Sequence, residues 1–157
     1  MFKDILTMEN SMEFISESTK QTEEFAQEFA QLIQPNDCIA FIGPMGMGKT
    51  AFVRGLVKGL EIDGEVCSPT FSLVNEYKGR NFSFYHFDMY RVNNLDDLYS
   101  TGFFDYLESG NVLAIEWSEN ISDALPNNTI YVEIQRIDEN TRHIIVKGDK
   151  RFENTCC

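Results

Sequence analysis

The sequence predicts an α/β fold, with a mostly parallel central sheet between layers of helices and antiparallel hairpins extending its edges. Three observations lead there. Residues 38–42, Cys-Ile-Ala-Phe-Ile, form a short apolar run with the look of a buried strand, and Val112-Leu113-Ala114-Ile115 form another. Between residue 51 and Leu60, the apolar side chains Phe52, Leu56, Val57 and Leu60 fall on one helical face. Two further pairs of segments read as hairpins, one around Gly79-Arg80-Asn81 and one around Asp138-Glu139-Asn140. Strands of this kind with helices on both faces make a three-layer domain.

The segment joining the first strand to its helix carries the chemistry. Residues 43–50 read GPMGMGKT and fit G-x-x-x-x-G-K-[ST] at every fixed position. A triphosphate needs several donors converging on it. Gly43, Gly46 and Gly48 lack a Cβ, so the backbone can wrap closely and aim its N–H groups inward. The helix beginning near Lys49 adds the positive end of its dipole. Lys49 supplies a point charge for the outer phosphates, and Thr50 a hydroxyl for Mg²⁺. The expected class is therefore P-loop NTPase-like. Its candidate nucleotide-binding residues are Gly43, Met45, Gly46, Met47, Gly48, Lys49, Thr50 and Ala51.

Bulk properties narrow the class. A chain of 157 residues is long enough for one domain with a sizeable core, expected over residues 1–149, with a polar tail over 150–157. Net charge is −12, which disfavours gripping nucleic acid with the whole surface but allows docking on a basic protein face. No apolar run approaches membrane-spanning length, and the opening MFKDILTMEN mixes charges among its apolar residues, unlike a signal peptide. Cys38, Cys67, Cys156 and Cys157 form no C-x-x-C pair. Neither a disulfide framework nor a cysteine metal site is expected, and a reducing cytoplasm is the simplest location.

In chain order, Phe2, Ile5 and Leu6 offer a strand or an arm. Ser18 and Gln21 make a capping box for a helix whose apolar face is Phe25, Phe29, Leu32 and Ile33, ended by Pro35-Asn36. Its start makes Thr19 a candidate base or ribose contact, against the blander role of capping. After the loop helix, Ser68-Pro69-Thr70 is extended, since proline disfavours helix at the residue before it. A hydroxyl-rich segment here is either a switch loop, with Thr70 sensing phosphate or Mg²⁺, or a plain turn.

Phe71 to Tyr77 and Phe82 to Phe87 then read as paired strands. His86 and Asp88 project to one face of the second, about 6–7 Å apart, so Asp88 can enter a cleft. Asn94 caps a short helix through Leu95 and Leu98, and Phe103, Phe104, Tyr106 and Leu107 cluster as core or docking face. Glu116 ends the 112–115 run like the acid of a Walker B strand, beside Thr50 and Mg²⁺. Trp117 is either core or cleft wall. Ile130, Val132 and Ile134 alternate against Ile144 and Val146, with Arg142 just after the turn.

Residues 43–50, then Ser68-Pro69-Thr70-Phe71, then His86-Phe87-Asp88-Met89-Tyr90-Arg91, then Glu116-Trp117 resemble the four ordered motifs of the TsaE (YjeE) family. These are bacterial P-loop ATPases needed for threonylcarbamoyl modification of adenosine in tRNA. The similarity runs from about residue 14 to 148. It implies ATP and Mg²⁺ as cofactors of a P-loop hydrolase. Few arginines lie near the motifs, so activity alone is expected to be weak, with a partner completing the site. The resemblance implies the TsaD and TsaB proteins as partners, tRNA contact only through the complex, and no transfer of the threonylcarbamoyl group by this chain. It assigns catalysis to Asp88, Lys49 and Thr70, Mg²⁺ to Thr50 and Glu116, and nucleotide contact to Trp117 and Arg142. Which of Asp88 and Glu116 lies nearer Mg²⁺ stays open, as does ATP over GTP. The family loop commonly reads GDLGAGKT, so Pro44 and Met47 depart from it without touching the fixed phosphate-binding positions. Two other classes fit the motif: a small-molecule kinase with Asp88 activating an acceptor hydroxyl, and a binding switch whose slow hydrolysis times partner release.

Overall fold

Four parallel strands form the centre of a seven-stranded sheet, and their order puts the loop strand in the middle. The computed structural model describes residues 11–148 and 150–152. The expectations at Phe2, Ile5, Leu6, Cys156 and Cys157 lie outside the described residues. In chain order the elements are β1 (Ser11–Ser16), α1 (Thr19–Phe29), β2 (Cys38–Ile42), α2 (Lys49–Gly59), β3 (Val74–Lys78), β4 (Ser83–Asp88), α3 (Leu95–Ser100), α4 (Phe103–Tyr106), β5 (Val112–Glu116), β6 (Ile130–Arg136) and β7 (Arg142–Lys147). The sheet order is β1-β7-β6-β2-β5-β4-β3, with β6, β2, β5 and β4 parallel and the β3–β4, β6–β7 and β1–β7 pairs antiparallel. The expected architecture is thus the observed one. β1, unread in the sequence because its pattern is weak, adds the outer edge strand beside β7.

Alternation along each strand divides the core into two. Ile39 and Phe41 of β2, Val112 and Ala114 of β5, and Phe84 of β4 face α1 and α2. Cys38, Leu113, Ile115 and Phe87 face the opposite side, where Leu98, Phe103 and Ile121 cover them. By the same parity His86, Asp88 and Glu116 lie on the α1–α2 side of the sheet.

The two helices of that side pack at their glycines. A Cβ on Gly55 would lie 2.3 Å from the Glu23 carbonyl oxygen, and one on Gly59 would lie 2.4 Å from that of Gln27. The α1 cap forms as expected, with Ser18 Oγ accepting from Gln21 N at 3.1 Å. The reciprocal bond slips one residue: Gln21 Oε1 accepts from Glu17 N at 2.8 Å, ahead of the cap.

Two expectations are corrected. The strand expected from Phe71 begins at Val74, because Leu73 takes a φ of 66° and Phe71 is 89% exposed on the preceding turn. A loose tail from Lys150 does not hold for Arg151 and Phe152. They lie in a 3-10 turn over Lys150–Phe152. Phe152 is fully buried, 5.5 Å centroid to centroid from Phe29, and Arg151 forks onto Asp37 with N–O distances of 2.9 and 3.0 Å. One aromatic ring with apolar neighbours was enough to outweigh the polar residues around it. No helix among the described residues is long and apolar enough to cross a membrane.

Candidate functional site

The cleft lies at the carboxyl ends of β2, β5 and β4, where ligands bind in open α/β sheets. Residue identity explains why the chain opens there. Gly46 and Gly48 take φ of 77° and 104°, the left-handed region that side chains resist. A Cβ on either would meet nothing within 4 Å, so the loop stands clear of the rest of the chain. Gly43 serves differently. Its φ is 132°, and a Cβ there would lie 2.9 Å from the Ile134 carbonyl oxygen, so this glycine lets the loop leave β2 against β6. It lines neither of the two cavities beside the loop.

A cavity of about 580 Å³ gathers residues from five separated stretches. Met45, Gly46, Gly48, Lys49, Thr50 and Ala51 come from the loop and the first turn of α2. Thr19 comes from the start of α1, Thr70 from the turn before β3, Asp88 from the end of β4, and Glu116 and Trp117 from the end of β5. Met47 and Arg142 line a smaller adjoining cavity of about 150 Å³, which shares Thr19, Gly46, Gly48 and Ala51 as its wall. The β6–β7 turn reaches this end because β6 runs parallel to β2. Arg142 Nη1 donates to the carbonyls of Asp138, Glu139 and Thr141 at 2.9, 3.3 and 3.0 Å, so much of its donor capacity braces its own hairpin.

Lys49 and the two acids set the electrostatics. Lys49 is 7% exposed, and among the described residues its ammonium makes no hydrogen bond or ion pair. It lies 5.7 Å from the Trp117 ring centroid, a cation–π contact. Trp117 takes a left-handed turn (φ 55°) that directs the chain away from β5, and Tyr90 packs on it at 4.9 Å between centroids. Asp88 and Glu116 are Cα partners in the β4–β5 ladder and share a face. Like charges directly opposite in a sheet are destabilising, so this pair favours a cation between or beside the carboxylates.

Each acid has one oxygen engaged. Asp88 Oδ1 accepts from Tyr90 N at 2.9 Å, and Glu116 Oε1 is 2.9 Å from His86 Nε2. Asp88 Oδ2 and Glu116 Oε2 accept no hydrogen bond among the described residues. Two open carboxylate oxygens and a nearby Thr50 hydroxyl make an all-oxygen donor set suited to a hard cation such as Mg²⁺. No group of three or more His, Cys, Asp or Glu arranged to hold a metal ion by itself is present among the described residues. Mg²⁺ held through one or two protein oxygens plus phosphate and water needs none.

The turn bearing Thr70 is tied from behind. Asn75 Nδ2 donates to the Cys67 carbonyl at 3.1 Å, and Ser68 Oγ and Thr70 Oγ1 are 2.7 Å apart. The Tyr77 hydroxyl accepts from Cys67 N at 3.3 Å; burial raises its pKa, which keeps it a hydroxyl.

Sequence reading missed Arg54, Ser68 and Tyr90, which also line the main cavity. Arg54 had a signal: it follows Thr50 by one helical turn, so it shares Thr50's face. Its guanidinium pairs with Glu23 of α1. The scarcity of arginines near the motifs is therefore less complete than the sequence implies. Ser68 and Tyr90 adjoin residues already singled out, and only the loop paths turn them inward.

A glycine loop between a central parallel strand and a helix, with acids at the ends of adjacent strands, defines a protein of the P-loop NTPase-like α/β class. Comparison with known proteins narrows this. The family model for "Threonylcarbamoyl adenosine biosynthesis protein TsaE" matches residues 16–144, and the chain belongs to that family. It is 40% identical to the tRNA threonylcarbamoyladenosine biosynthesis protein TsaE of Rickettsia typhi, over 84% of this chain and 92% of that one. The protein of the same name from Aquifex aeolicus is 39% identical over 87% of this chain and 96% of that one. Among solved structures, Bacillus subtilis YdiB superposes with a TM-score of 0.74 at 27% identity, covering 91% of this chain and 89% of that one.

Proposed function

We propose that this chain binds Mg²⁺-ATP in the main cleft and hydrolyses it as a subunit of the bacterial machinery for threonylcarbamoyl modification of adenosine in tRNA. It acts with TsaD and TsaB, meets tRNA only through that complex, and does not transfer the group itself. Family membership supports the pathway. The observation that carries the chemistry is the register pairing of Asp88 with Glu116 on the sheet face toward Lys49 and Thr50.

The roles follow from what each group offers. Backbone N–H groups of the loop cradle the phosphates, and the Lys49 ammonium, lacking a carboxylate partner among the described residues, takes the outer ones. The Thr50 hydroxyl and Glu116 Oε2 hold Mg²⁺, which when bound neutralises charge on the phosphate oxygens. Asp88, braced by Tyr90 N, keeps its second oxygen to orient a water for attack. Thr70 lies on the turn that closes the same cleft, and Trp117 forms its wall.

Measuring ATP turnover with and without TsaD and TsaB tests this directly. Partner stimulation is expected, with loss on Asp88→Ala. No stimulation together with an unimpaired Asp88→Ala protein would sink the hydrolase role. Phosphate transferred to an added metabolite, rather than released, would favour a kinase.

A further inference from the structure

His86 precedes Asp88 by two residues in β4, on the same face, and is fully buried. Its Nε2 lies 2.9 Å from Glu116 Oε1. Its Nδ1 has no hydrogen-bond partner, and among the described residues it is the one buried side-chain nitrogen or oxygen in that state. A neutral imidazole has one donor and one acceptor nitrogen, and a carboxylate only accepts. Nε2 therefore carries a proton directed at Glu116.

A buried polar ring left half unsatisfied costs free energy that an apolar residue of similar size would not. Phe84, two residues earlier on the same face, shows that the strand accommodates such a residue. The polarity of His86 thus has one outlet, the Glu116 carboxylate. That carboxylate needs support. It ends a flexible side chain and stands opposite Asp88 in the ladder, where like charges repel.

We propose that His86 is a positioning residue: its Nε2–H holds Glu116 Oε1, so that Oε2 alone is presented to a divalent cation in the cleft. This builds on the reading of Glu116 as an Mg²⁺ ligand. Outer partners of this kind orient the ligating oxygen and tune affinity without touching the metal.

Two measurements on the full chain test it. The first is ¹⁵N NMR of the histidine rings without nucleotide, with His143→Gln separating the only other histidine. A proton on Nε2 is expected; a ring whose only proton is on Nδ1 overturns the proposal. The second titrates Mg²⁺ against a nonhydrolysable ATP analogue by calorimetry. His86→Leu should raise the Mg²⁺ concentration for half-saturation about tenfold or more while leaving Mg²⁺-free analogue binding unchanged. His86→Gln, which keeps an N–H near the same place, should recover most of the loss. An equal Mg²⁺ requirement in wild type and His86→Leu overturns the proposal, as does an equal loss of binding with and without Mg²⁺. Should His86→Leu fail to fold, the ring tautomer decides. A wild-type protein that binds the analogue with no Mg²⁺ dependence overturns the Mg²⁺ reading of the cleft and this inference together, whereas the other outcomes touch His86 alone.

Discussion

The Lys49 ammonium rests 5.7 Å from the centre of the Trp117 ring, although one residue opens α2 and the other follows β5. Trp117 is the only tryptophan in the chain, so its emission reports on this contact. A phosphate bound in the loop competes for the ammonium, because a charge-assisted bond outweighs a cation–π contact of roughly 0.5–2 kcal/mol. Adding ATP should therefore change tryptophan fluorescence. Lys49→Ala should alter the emission of the free protein and remove the nucleotide response. An unchanged spectrum on adding saturating ATP would count against Lys49 as the phosphate ligand.

Glycine substitutions should separate the cleft from the core. Gly48→Ala meets no neighbour but holds an L residue at φ 104°, costing on the order of 1–3 kcal/mol through backbone strain, with nucleotide binding weakened. Gly55→Ala ordinarily strengthens a helix by about 1 kcal/mol. Here its Cβ would meet the Glu23 carbonyl oxygen at 2.3 Å and Ala26 Cβ at 2.7 Å, so α1 must shift. A net loss of about 1–3 kcal/mol is expected from such overpacking. Urea unfolding checks the sign: a stabilised Gly55→Ala protein would show that α1 and α2 are less tightly apposed.

Phe152 closes the bottom of the α1 side of the core against Phe29. Phe152→Ala should cost about 3–5 kcal/mol, the usual cost of emptying a buried aromatic site. A chain ending at Gly148 should lose this contact together with the Arg151–Asp37 pair, and unfold well below the full-length protein in a thermal scan. Equal melting temperatures would mean that residues 150–152 contribute nothing to the fold.

Alkaline stability should depend on Cys38. Burial, partly offset by its hydrogen bond to Thr129, pushes its thiol from 9.0 up to about 12. The folded state thus keeps a proton that the unfolded chain loses above pH 9. The associated stability is fully present below pH 9 and falls as pH rises toward about 12. For one proton the slope is at most about 1.4 kcal/mol per pH unit. Cys38→Ala should flatten the decline in unfolding free energy between pH 9 and 11. In the native protein, an alkylating reagent near pH 8 should modify exposed Cys67 and spare Cys38.

Features written in short stretches were legible from the residues alone. The glycine spacing of residues 43–50, the Ser18 and Asn94 caps, and the alternation of Ile130, Val132 and Ile134 each depend on neighbours a few positions away. The place of Arg54 on the face of Thr50 is also written locally, in helical spacing. The strand start at Val74 and the burial of Phe152 were not legible. A left-handed Leu73 and a docking site on Phe29 leave no mark in their own neighbourhoods.

What the residues determined by themselves was the anion-cradling turn, since glycine torsions and a helix start are local properties. Sheet order alone decided the rest. It put β4 beside β5, brought Asp88 level with Glu116, and slid a buried imidazole under one of them. Pairing between strands about thirty residues apart is selected by burying both faces of the sheet at once, a many-body condition that no single stretch of the chain encodes.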